Sequence, residues 1–101
     1  MINVVASITV KPGKRDEFIA IFKSNLPAVH AEEGCIEYFP AIDIELGVPV
    51  QELNENVVTI IEKWETLEHL KAHGIAPHML EYRERVKDLV EGMTIKVLTA
   101  A

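Results

Sequence analysis

Val57-Val58-Thr59-Ile60-Ile61-Glu62-Lys63-Trp64 opens with an unbroken run of β-branched residues. Such side chains lose rotamer freedom in a helix and pack well on a pleated surface, so the stretch reads as a strand. Alternation along it puts Glu62 and Trp64 on one side. On its N-terminal side, Glu45 to Asn56 is polar and carries Gly47, Pro49 and two Asn, the composition of a long hairpin arm or loop. Before that, Gly34 suits a helix C-cap and Cys35 to about Ile44 reads as another strand. On the C-terminal side, Thr66 is placed to cap a short helix through His73. Gly74 interrupts that helix, and Pro77 suits the first turn of the next, where Met79, Tyr82, Val86 and Leu89 form an apolar stripe. Gly92 is expected to stop it, leaving Met93 to Thr99 as a final strand.

At the start of the chain Ile2, Val4, Ala6, Ile8 and Val10 alternate with mostly polar neighbours, the period of a strand with one buried face. Lys11-Pro12-Gly13 ends it. From Lys14 to about Glu32 the period becomes helical, with Phe18, Phe22, Leu26 and Val29 in register and Ile19 widening the stripe. Pro27 predicts a kink or break there. The order is β-α-β-β-α-β with the second helix split in two, which predicts an α+β, ferredoxin-like antiparallel sheet with helices on one face. The other face would include Val5 and Ile61. Packing it against a second copy is the simplest way to remove it from water, so a homodimer is expected.

At 101 residues the chain is expected to form a single domain, 1–101. No apolar run approaches the roughly 20 residues that cross a bilayer, so no membrane partner is expected. The start lacks a basic region before an apolar stretch, and Cys35 is the only cysteine. Both fit a cytoplasmic protein without a signal peptide. The formal charge of −6 disfavours nucleic acid. Arg83, Arg85 and Lys87 alternate with Glu81, Glu84 and Asp88, the pattern of a solvated helix face.

Several short stretches together resemble the antibiotic-biosynthesis-monooxygenase family. They are Val10-Lys11-Pro12-Gly13, Glu32-Glu33-Gly34-Cys35 leading to Tyr38 and Pro40, and Gly47-Val48 with Gln51. Ile61-Glu62-Lys63-Trp64-Glu65, His69-Leu70, Ala72-His73, and Pro77-His78-Met79 before Tyr82 complete the set. The likeness spans about nine-tenths of the chain and is closest to the small bacterial quinol monooxygenases. It implies a dimeric α+β barrel and an enzyme that oxidises a quinol or polyphenolic aromatic with dioxygen, using no cofactor. Haem-degrading relatives rely on an Asn in the first strand and a Trp after the third, where this chain has Ala6 and His73. The resemblance therefore points away from haem.

A hydroquinone reacts slowly with dioxygen because a singlet meets a triplet, and the electron leaves more easily from the quinolate. Such an enzyme needs a base near neutral pH, donors for an oxyanion, and an apolar cavity. His73 and His78, flanking Gly74-Ile75-Ala76-Pro77, are the candidate catalytic bases, with His73 preferred because the resemblance puts it on the cavity side. They can equally satisfy carbonyls at a helix junction. Trp64 is a candidate flat wall for the substrate, or else packing. Glu62, costly on an apolar face unless paired, can orient a His, accept from a ring hydroxyl, or bridge to a Lys or Arg of the other subunit, with the structural salt bridge favoured. Tyr38 and Tyr82 are candidate phenol donors, or core aromatics. His69 and His73 stand at i, i+4, but no Glu follows the first His, so no metal site is expected. Cys35 reads as a small strand hydrophobe. Two rival functions stay open: an isomerase or lyase on a small keto or lactone substrate, and a non-catalytic dimeric binder of a hydrophobic metabolite.

Overall fold

The computed structural model describes residues 1–101, and its first and third strands fall where apolar alternation and the β-branched run place them. β1 (Ile2–Val10) is followed by α1 (Arg15–Ser24) and α2 (Leu26–His30), then β2 (Cys35–Ala41) and β3 (Val57–Trp64). α3 (Leu67–Gly74), α4 (Pro77–Val86) and β4 (Val90–Leu98) complete the chain. The break expected near Pro27 occurs two residues earlier, at Asn25, because Pro27 is tolerated in the first turn of α2. Thr66 caps α3 by accepting from the His69 backbone N–H.

The four strands form one antiparallel sheet in the order β2-β3-β1-β4, the ferredoxin-like arrangement. Register is set by the apolar face. Val4, Ala6, Ile8 and Val10 of β1 and Val58, Ile60, Glu62 and Trp64 of β3 are buried beneath the helices. Phe18 and Phe22 of α1 meet Met79, Tyr82 and Val86 of α4 over them. Aromatic rings knit the layers: Phe22 stacks on Tyr38 at 5.4 Å between centroids and meets Tyr82 edge-on at 5.7 Å. On the opposite face Phe39, Ile61 and Val5 lie side by side in one cross-strand row, none of them buried.

Three boundaries differ from expectation. β2 ends at Ala41 rather than Ile44. Beyond it the chain enters the arm, where Gln51 bonds Leu46 N and Ile44 O and Asp43 accepts from Asn54 N. α4 stops at Val86, and β4 begins at Val90 rather than Met93. Gly92 therefore lies inside the strand, opposite Thr9, instead of ending a helix. The cause is tertiary: Lys11 N donates to Leu89 O at 2.9 Å, which fixes the chain against the end of β1 before Gly92 is reached. A register shift between Thr9 and Val10 takes up the extra residue.

Candidate functional site

The helices pack over β2, β3 and β1 and leave β4 almost bare, so a hollow opens between α4 and the sheet. Its volume is about 510 Å³, within the usual range of small-molecule sites. Cross-strand pairing sets its floor in rows: Tyr38 beside Glu62, then Ile60, Ala6 and Ile95, then Ile8 and Met93. The first and last rows are four residues apart on the strands, or about 13 Å. Leu70 and His73 of α3 and Met79, Tyr82 and Val86 of α4 supply the walls.

His73 sits in the last turn of α3, buried, against this cavity. Its ring lies 4.7 Å from Trp64 and 5.2 Å from Tyr38 between centroids. Nδ1 is 2.7 Å from Glu32 Oε2, a carboxylate delivered by the turn between α2 and β2. His78, in the first turn of α4, lies on the far side of that carboxylate: Nε2 is 3.2 Å from the same Oε2 and Nδ1 is 3.1 Å from Asn25 Nδ2. The structure thus brings both candidate histidines to one acid, with only His73 on the cavity wall.

Glu62 and Trp64 share a side of β3 as alternation requires, and the indole Nε1–H donates to Glu62 Oε1 at 2.9 Å. No Lys or Arg of the same chain forms an ion pair with Glu62, and its partner within the chain is the neutral indole. Burial pushes the Glu62 carboxyl above the ordinary carboxylate range, opposed by the Trp64 hydrogen bond and the nearby His73. Trp64 is fully buried and is not on the cavity wall. Its indole carries Glu62 and packs against His73.

Tyr38 and Tyr82 both line the cavity. Burial pushes both phenols well above their ordinary value, so they stay protonated donors. Arg83 and Lys87 are exposed as expected of a solvated face, yet both also stand on the cavity rim. Lys87 pairs with Glu84.

Sequence reasoning missed Glu32 as part of the site. Its only signal was membership in Glu32-Glu33-Gly34-Cys35, and nothing local links it to residues 41 positions away. His69 turns away from His73: its ring lies over Gly34 and its Nδ1 is 2.8 Å from Thr66 Oγ1. No group of three or more His, Cys, Asp and Glu side chains is arranged to hold a metal ion. Cys35 is half-buried on β2.

Comparison with known proteins gives a consistent result. Residues 1–85 match the family described as antibiotic biosynthesis monooxygenase. The Escherichia coli K12 protein named probable quinol monooxygenase YgiN is 39% identical over 100 residues, covering 97% of this chain and 96% of that one. A conserved protein from Methanosarcina mazei Go1, solved by crystallography, is 28% identical with a TM-score of 0.84, covering 99% of this chain and 92% of its own. A crystal structure described as an antibiotic biosynthesis monooxygenase is 18% identical and shares the fold, with a TM-score of 0.82 over 100% of this chain and 99% of that one.

Proposed function

The chain belongs to the antibiotic biosynthesis monooxygenase family, and from that premise we propose that it oxidises a quinol or related polyphenol with dioxygen, without a prosthetic group. The observation that carries this reading is the apolar cavity with a carboxylate-held imidazole in its wall. The naming of the Escherichia coli relative supports the quinol class.

In this reading His73 takes a hydroxyl proton from the bound quinol. The Tyr38 and Tyr82 phenols stabilise the oxyanion that forms. The quinolate passes one electron to dioxygen, and the semiquinone and superoxide combine at a ring carbon bearing hydrogen. The imidazolium returns its proton to give a hydroperoxide. Loss of that carbon's hydrogen together with hydroxide from the O–O bond leaves a carbonyl, which enolises to a hydroxyquinone. The quinol gains one oxygen and loses two hydrogens as water, so no outside reductant enters. His78 does not line the cavity and stands beside Glu32, 3.2 Å from its Oε2. A homodimer belongs to the same reading, supported by the exposed row of Phe39, Ile61 and Val5 and by the bare apolar side of β4.

The test is oxygen consumption with a panel of anaerobically reduced quinones, with isotopically labelled dioxygen and mass analysis of the product. Label is expected in the quinone, and His73→Ala is expected to turn over at least about 10²-fold more slowly. Proton exchange from a keto substrate without oxygen uptake would favour an isomerase, and saturable binding without turnover a binder.

A further inference from the structure

Resting on His73 as the base, we infer that Glu32 is a positioning residue: it holds His73 in the tautomer whose proton is on Nδ1, so that Nε2 is the acceptor offered to the cavity. An imidazole that is to remove a proton must present a bare nitrogen, and which nitrogen is bare is set by what the other one touches. A carboxylate only accepts, so a neutral His73 with Nδ1 at 2.7 Å from Glu32 Oε2 must carry its proton there. No hydrogen bond within the chain engages the opposite nitrogen, on a ring that lines the cavity. Contacts with Trp64 and Tyr38 keep the ring from rotating to exchange its two nitrogens.

His78 approaches the same Glu32 oxygen from α4. The Asn25 amide nitrogen stands 3.1 Å from His78 Nδ1 and 3.5 Å from Met79 Sδ. Both are acceptors, so Asn25 donates to His78 Nδ1, and the His78 proton must be on Nε2. That nitrogen is buried and has no well-aligned hydrogen-bond partner, yet it lies 3.2 Å from Glu32 Oε2. Glu32 Oε2 thus accepts a hydrogen bond from α3, and the His78 ring of α4 packs beside the same oxygen without a hydrogen bond of its own. When His73 accepts a proton at Nε2, the new imidazolium meets a carboxylate already aimed at it, and no side chain has to move. The other titratable groups near this pair are Cys35 and Tyr38 on β2 and Glu62 on β3.

The test uses the intact protein and needs no substrate for its first part. Imidazole ¹⁵N–¹H correlation spectra of the wild type are expected to show neutral His73 as the Nδ1–H tautomer and neutral His78 as the Nε2–H tautomer. In Glu32→Gln the amide can donate to Nδ1, so His73 is expected to shift toward Nε2–H. Quinol turnover is expected to fall by about 10²-fold or more, approaching the roughly 10⁴-fold scale of the Asn exchange in serine-protease triads. The acid limb of its pH profile should move at the same time. A wild-type His73 carrying its proton on Nε2 overturns the inference, whatever the variant does. So does a folded Glu32→Gln protein with unchanged tautomers and an unchanged acid limb. If instead His73→Ala oxidises quinols normally, the base assignment fails while the tautomer spectra still decide the role of Glu32.

Discussion

Gly34 offers the sharpest test of how the turn that delivers Glu32 is built. Its φ of +82° is in the left-handed region, where an L side chain costs about 1–2 kcal/mol. A Cβ added there would lie 2.3 Å from His69 Cγ, 2.5 Å from Nδ1 and 2.7 Å from Cβ. The imidazole cannot swing clear cheaply, because Nδ1 is held by Thr66 Oγ1 and the near atoms include the root of the side chain. Overpacking of this kind costs about 1–3 kcal/mol. Gly34→Ala is therefore expected to destabilise the protein by about 2–5 kcal/mol, the sum of those two estimates. Urea denaturation followed by fluorescence of Trp64, the one tryptophan, measures it. The two contributions separate in a His69→Gly background, which removes all three clashing atoms. There Gly34→Ala should cost only the backbone share, about 1–2 kcal/mol. An equal cost in both backgrounds would refute the steric account, and a cost below about 1 kcal/mol in the native background would refute both.

Two further predictions concern the sheet. Burial raises the Glu62 pKa, so the folded chain binds that proton more tightly than the unfolded chain; the stability it contributes is full below the unfolded value near 4.5 and is lost as pH rises through the folded value. Gln stays neutral and keeps an oxygen for the Trp64 indole, so wild-type stability relative to Glu62→Gln should decline from acid to neutral pH in parallel denaturation series; a pH-independent difference would mean that Glu62 is not held protonated. Ile61→Glu, which puts a charge in the middle of the Phe39–Ile61–Val5 row, should convert a micromolar dimer to monomer in analytical ultracentrifugation. A wild type that sediments as a monomer would remove the dimer from the proposal.

Much of the architecture is legible along the chain because it rests on local period. The β-branched run Val57–Ile61 and the alternation from Ile2 to Val10 specify β1 and β3, and Thr66 specifies the start of α3. Gly92 misleads because it is a helix breaker in isolation, yet pairing with Thr9 across the sheet outweighs its weak strand preference. The site is legible where one element carries it: the Glu62–Trp64 pair follows from strand alternation alone. It is not legible where three elements converge. Glu32 and Asn25 flank α2 while His73 and His78 lie on α3 and α4, and their meeting is a fact of helix packing.

The bare side of β4 ties the chemistry to assembly. Met93 and Ile95 line the cavity, yet they remain 61% and 53% exposed. One chain alone therefore leaves its hollow open along the sheet edge. Hydrogen bonds to a developing oxyanion strengthen as water is excluded, because the effective dielectric falls. Phenol donors such as Tyr38 and Tyr82 in the cavity wall would be worth less beside an open edge than beside a closed one. The same strand that leaves the cavity unsealed is an unpaired edge of the sheet, and unpaired edges are the places where natural sheets acquire a cover. On the dimeric reading, closing that edge would serve both needs: it would remove apolar surface from water, and it would dry the chamber in which His73 meets its substrate.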